Sequence, residues 1–178
     1  AKEYIERALK DGKHVITANK DLIATHGPEL ISLAKEHGCD LCYEASVAGG
    51  IPILRTIVNS FAADRIIEVR GIVNGTTHYI MTQMNNNGAS YEDALESAQE
   101  LGFAEADPTN DVDGIDAAYK MIILTQFAFG KDVTMDQVKV KGIRGIQKAD
   151  LAEAKRLGYV IKVLGIAKLV NGPIDVSF

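Results

Sequence analysis

Two short apolar runs, residues 14–18 and 39–45, stand on either side of a helix-length stretch, and that spacing restricts what the first quarter of the chain can become. Antiparallel neighbours need just a tight turn, whereas strand, helical crossover and strand make a parallel pair. A further amphipathic segment precedes them, with Tyr4, Ile5, Ala8 and Leu9 on one helical face and Gly12 as the expected C-terminal cap. The second helix is expected to start at Gly27-Pro28-Glu29, with proline in its first turn, and to end at His37-Gly38. Helix–strand–helix–strand is a parallel α/β layout that opens on a helix, so its sheet is expected to lack earlier strands.

Beyond Ser46 the pattern changes. A turn-rich loop, Val47-Ala48-Gly49-Gly50-Ile51-Pro52, leads into an expected helix over 52–60. The β-branched residues of 65–74 predict a strand, and 76–84 a helix stopping at Asn85-Asn86-Asn87-Gly88. Ser90, with Asp93 three residues on, has capping-box spacing for a polar helix ending at Leu101-Gly102. Residues 115–129 make the best-defined apolar helix. Residues 159–170 predict a strand, Asn171-Gly172-Pro173 a turn, and 174–178 an alternating return strand on which the chain stops. Both ends therefore read as interruptions, and the chain as a middle section of a longer one.

Composition narrows the function classes. With a net charge of −5, a pI of about 5.4 and no Lys/Arg-rich stretch, there is no electrostatic footprint for nucleic acid. Aromatic residues are 6% of the chain and Trp is absent, which leaves little for base stacking. The run Met121-Ile122-Ile123-Leu124 is broken at once by Thr125-Gln126, far short of the roughly 20 apolar residues of a membrane span. The charged amphipathic start is no signal peptide, and two cysteines without a secretory segment point to a reducing cytoplasm.

No G-x-G occurs, so neither a dinucleotide fingerprint nor a Walker A loop is present. Cys39-Asp40-Leu41-Cys42 lacks the second ligand pair a zinc site needs and falls on an expected strand, so both thiols read as small apolar residues. The stretch from Asp107 to Asp116 imitates a calcium loop at Asp111, Asp113 and Gly114, but Thr109 and Lys120 occupy the first and twelfth positions and defeat it. It can be a solvated loop whose acids favour the next helix N-terminus. Alternatively, Glu105, Asp107, Asp111, Asp113 and Asp116, crowded together with Lys120 one turn on, make a receptor for an ammonium group beside a proton-transfer residue. Gly71 to Thr77 runs from strand through glycine into a helix start, which is either a plain turn or a carboxylate-binding one. Glu44 enters a loop of free carbonyls, which is either an ordinary loop or an oxygen cage for a hard cation.

Five segments in order resemble the homoserine dehydrogenase family: Val15 to Lys20, Tyr43 to Pro52, Gly71 to Ile80, Leu101 to Pro108 and Asp111 to Lys120. The resemblance implies NAD(P)-dependent interconversion of L-homoserine and L-aspartate 4-semialdehyde, within threonine and methionine biosynthesis. It implies an α/β protein: residues 1–46 as the remnant of a Rossmann domain, and 47–178 as an α+β catalytic domain with a mostly antiparallel or mixed sheet that forms a homodimer. Lys120 would be the proton donor and acceptor, and Lys20 a second lysine touching cofactor and substrate. Glu105, Asp116, Asp111, Gly75 and Thr76 would bind substrate, and Asn19, Lys20 and Gly102 the cofactor. Glu44 with the carbonyls of Val47, Gly49 and Ile51 would hold sodium or potassium. The chemistry agrees with those roles, since the alcohol proton must leave as its C–H bond breaks, and paired acids fix an ammonium group. With the nucleotide fingerprint missing, the chain is expected to be a catalytic core lacking most of its NAD(P) site. Two other readings stand beside this one: a related semialdehyde or phosphate-sugar dehydrogenase, which needs a nucleophilic Cys at a loop or helix start, and a non-catalytic amino-acid-binding or dimerisation module.

Overall fold

The computed structural model describes residues 1–169 and 174–177. It divides into two compact units, one of Ala1–Val69, Tyr119–Val138 and Ala167–Val176, the other of Arg70–Ala118, Lys139–Ile166 and Ser177–Phe178. Secondary structure is mixed helix and strand, the α/β class that the sequence predicts. Among the described residues no helix is long and apolar enough to cross a membrane.

In the first unit, α1 (Lys2–Lys10), β1 (Val15–Ile16), α2 (Lys20–Glu36) and β2 (Leu41–Cys42) follow one another, and the strands pair parallel with Val15 opposite Leu41 and Ile16 opposite Cys42. Leu9, Ala34 and Cys39 form a buried centre with Ile5, Val15, Leu33 and Leu41 packed on it. Tyr4, expected on that face, is instead 72% exposed. Its ring lies beneath the Arg7 guanidinium, 5.9 Å away, a cation–π contact that suits a wet surface. The two cysteines also part company: Cys39 is buried and Cys42 exposed, because alternation along β2 puts Leu41 inward and its successor outward.

The second helix begins at Lys20, not at Gly27. Asn19 caps it by accepting the Leu22 N–H at 3.0 Å. Pro28 consequently lies inside the helix, where it cannot donate to the Ala24 carbonyl. The buried stripe Leu22, Ile23, Leu30 and Ala34 flanks it on both sides and carries the helix through. Both strands are shorter than expected: Thr17 Oγ1 takes the Asn19 N–H at 3.1 Å and turns the chain out of β1, and a 3-10 turn over Glu44–Ser46 follows β2. Helix α3 (Ile53–Ser60) completes this run, with Leu54 and Ile57 buried.

Strand β3 (Glu68–Gly71) is shorter than the 65–74 expected, because Asn74 already caps α4 (Gly75–Asn87). Gly88 ends α4 at φ +65°, a left-handed turn disfavoured for other residues. Ser90 and Asp93 then form the expected capping box on α5 (Tyr91–Glu100). The four-residue α6 (Thr109–Val112), α7 (Ile115–Phe129) and α8 (Lys148–Arg156) follow. The second unit's core collects Ile80, Met81, Met84, Ala94, Ala98, Ala104, Val112, Ile143 and Leu151. Burial of each large side chain there contributes about 1.5–3 kcal/mol before the entropy of ordering it is counted.

Strand β4 (Gly165–Leu169) replaces the longer one expected over 159–170. Residues 159–164 are irregular because the Tyr159 N–H turns back onto the Ala154 carbonyl at 2.8 Å and the Ile161 carbonyl accepts from Asn85 Nδ2 at 3.1 Å. β5 (Ile174–Ser177) forms as expected, in a sheet of order β3-β4-β5. Val170, the turn at Asn171-Gly172-Pro173, and Phe178 lie outside the described residues.

Candidate active site

The second unit gathers residues from three distant segments around one buried amide. Asn74, the N-cap of α4, is 4% exposed. Its Oδ1 accepts the Thr77 N–H at 2.8 Å and the Thr77 hydroxyl at 2.9 Å. Its Nδ2 donates to Asp111 Oδ1 at 2.7 Å and to Asp116 Oδ2 at 2.9 Å. Thr76 Oγ1 lies 2.6 Å from the Phe103 carbonyl and 3.2 Å from Asp111 Oδ2, sharing its one proton between them. Two carboxylates thus stand side by side at a helix start, where positive partial charge favours them. Asp116 is 8% exposed, and a carboxylate that far from water needs such donors.

Of the residues singled out in the sequence, the acids Asp111 and Asp116 and the hydroxyl of Thr76 therefore meet. Glu105 stands apart from them, exposed in a loop whose shape is set by Gln99 Nε2, which donates to the Glu105 and Ala106 carbonyls at 3.0 and 3.3 Å. Gly75 opens α4 with empty space where a side chain would be, and Gly102 is exposed after α5. Asp113 turns away to pair with Arg144, whose Nε lies 2.5 Å from Asp113 Oδ1. Asp113 holds the guanidinium proton more firmly than usual. The acidic stretch is therefore no cation loop, since its members take donors in separate directions.

Lys120 lies on α7 one helical turn beyond Asp116 and is half-buried. Asn19 and Lys20 stand together at the start of α2. The Asn19 oxygen is committed to the Leu22 N–H, and Lys20 Nζ lies 3.4 Å from Asp21. Glu44 is held differently: Oε1 and Oε2 accept the Leu54 and Arg55 N–H groups, both at 2.9 Å, at the second and third positions of α3. Its loop bends through Ala48 at φ +51° and Gly50 at φ +84°. The Ile51 carbonyl accepts the Ile53 N–H at 2.8 Å, so any cation that Glu44 and the Val47, Gly49 and Ile51 carbonyls held would share these oxygens with backbone donors. No group of three or more His, Cys, Asp or Glu able to hold a metal occurs among the described residues.

Asn74 and Arg144 organise the acids, and neither has a role in the reading from sequence. An asparagine just ahead of a helix signals a cap, but nothing local says which way its NH2 points. Arg144 lies 31 positions from Asp113.

A profile of the homoserine dehydrogenase NAD-binding domain matches residues 1–44, so the first segment is similar to part of a dinucleotide-binding α/β domain. The homoserine dehydrogenase profile itself matches residues 52–178, and the chain belongs to that family. It is 54% identical over 176 residues to homoserine dehydrogenase of Bacillus subtilis, covering 99% of this chain and 41% of that one. The crystal structure of a homoserine dehydrogenase from Thiobacillus denitrificans superposes with a TM-score of 0.96 at 43% identity, over 99% of this chain and 41% of that one. A hyperthermophilic archaeal homoserine dehydrogenase in complex with NADPH gives 0.81 at 33% identity, over 98% and 50%. The chain thus spans about two-fifths of the length of the curated relatives it matches.

Proposed function

We propose that this chain is the catalytic portion of an enzyme that interconverts L-homoserine and L-aspartate 4-semialdehyde with NAD(P). The observation that carries the reading is the pair of carboxylates on one buried amide, with Lys120 a helical turn beyond Asp116. Residues 1–46 would belong to the nucleotide-binding domain and 47–178 to the catalytic and dimerising one, in a cytoplasmic homodimer.

In this mechanism Asp111, Asp116 and Glu105 receive the substrate ammonium, and Gly75 and Thr76 border its carboxylate at the start of α4. Charge pairing at the amino-acid end fixes the distance of the reacting carbon from Lys120, a kind of positioning that supplies several kcal/mol. Lys120 removes the hydroxyl proton in oxidation and returns it to the aldehyde oxygen in reduction. Lys20 would supply a second cation to the reacting oxygen; Asn19 and Lys20 at the start of α2, and Gly102 after α5, are the residues assigned to the cofactor. The chemistry that NAD(P) would supply when bound is hydride transfer. Glu44 and the carbonyls of Val47, Gly49 and Ile51 would hold sodium or potassium.

The test is turnover of L-homoserine by the gene product that carries this sequence, followed by nicotinamide absorbance. Lys120→Ala is expected to lower kcat by about 10²–10⁴-fold with an unchanged melting temperature. Near-normal turnover would remove Lys120 from its role, and a wild-type protein inert toward homoserine would overturn the activity.

A further inference from the structure

We propose that Asn74 is a positioning residue, a neutral clamp whose two amide protons set the spacing of the Asp111 and Asp116 carboxylates and so the geometry with which they receive a cationic substrate group. The inference rests on the reaction proposed above for its kinetic readout, but the clamp itself stands on distances. An asparagine side chain has two protons to donate and one oxygen to accept. Here all of them are used: the oxygen takes the N–H and hydroxyl of Thr77, and each proton goes to a different carboxylate, at 2.7 and 2.9 Å.

The orientation follows from the helix. The Thr77 N–H is one of the donors left over at the start of α4 and must find an acceptor. Asn74 Oδ1 supplies it, which forces the NH2 to the opposite side, where the acids lie. The cap and the clamp are two ends of one planar group, so α4 fixes the direction from which both carboxylates are gripped. A cap alone would be served equally well by aspartate or serine. Either removes the two donated protons, and aspartate would add a third carboxylate where two already stand side by side, with no proton between them. Neutrality is what a clamp between two anions requires: a lysine or arginine there would cancel the charge that attracts the substrate ammonium.

Cap and clamp separate by substitution. Asn74→Ser and Asn74→Asp both retain an N-cap oxygen, so α4 is expected to hold and the melting temperature to fall only by what the two carboxylates lose with their donor, whereas Asn74→Ala loses cap and clamp together and falls further. In the gene product carrying this sequence, Asn74→Ser is expected to raise KM for homoserine by tenfold or more, and to lower kcat/KM by about 10²-fold, the cost of displacing a reacting group by about 1 Å. Asn74→Asp should lose at least as much, because the added anion crowds the pair that receives the ammonium. Carbon-13 chemical shifts of the Asp111 and Asp116 carboxyls at neutral pH supply a readout that needs no turnover, with both expected to move in either variant as their shared donor is lost. A normal KM and unmoved carboxyl shifts in Asn74→Ser and Asn74→Asp would overturn the clamp while leaving the activity intact. A wild-type protein without homoserine turnover would overturn the activity, and the carboxyl shifts would still decide the clamp.

Discussion

Glu44 in the first unit and the Asp111–Asp116 pair in the second are carboxylates anchored at helix starts by opposite means. Glu44 is held by two backbone N–H groups of α3, ten and eleven residues along the chain. Asp111 and Asp116 are held by a side-chain amide 37 and 42 residues away. A backbone anchor survives any substitution except proline at the residues that supply it, whereas a side-chain anchor can be lost by changing one atom group. The first arrangement suits a loop that must keep its shape, and the second a site whose distances are tuned by residue choice.

The comparison can be pressed hardest at Gly142. A Cβ there would overlap the Val112 carbonyl and come within 2.6 Å of the Asp113 Cα, backbone atoms of the segment that carries Asp111. Gly142→Ala is expected to cost about 1–3 kcal/mol in denaturant unfolding and to weaken homoserine binding, as one carboxylate is pushed out of line. An alanine variant with unchanged stability would show that this segment moves freely. Glu44→Ala should cost less, about 1 kcal/mol, the loss of a capping acceptor for two N–H groups. It should also abolish any dependence of turnover on sodium or potassium. A loss as large as that at Gly142 would mean that Glu44 holds more than α3.

The smallest effect is confined to alkaline solution. Tyr43, next to Glu44, packs edge-on against Phe127 with ring centroids 5.6 Å apart, and burial, with Asp132 nearby, pushes its hydroxyl up to about 12. The folded protein therefore keeps a proton that the unfolded chain gives up near pH 10. The stability this confers is whole below pH 10 and declines as pH rises toward 12. Tyr43→Phe should flatten that decline in melting temperature, and an unchanged slope would assign it to other groups.

What the sequence disclosed was local. The parallel strand–helix–strand unit, the Ser90 capping box and the bounds of α7 are written in periodicity and neighbouring residues. Helix α2 starts eight residues before the proline that signals a helix start, because the Asn19 cap decides where it begins and buried leucines carry it through Pro28. The strand expected over 159–170 failed because its backbone groups found partners on α8 and Asn85, which β-propensity does not register. Asp111 and Asp116 were legible as acids near a lysine. Their neutral partner was not, since it is specified by the direction in which α4 leaves β3.

Helix α6 draws out a consequence for motion. Four residues are too few to stay helical alone. This helix is tied to its surroundings by Asp111 on Asn74 and by the Val112 carbonyl, which accepts the Ile143 N–H at 2.8 Å. Opening it must release the amide proton of Ile143 and loosen the carboxylate grip on Asn74 in one event. Hydrogen exchange at Ile143 and at Asp113, whose N–H is held by the Thr109 carbonyl of α6, should then follow a common rate, slowed together when the two acids are occupied.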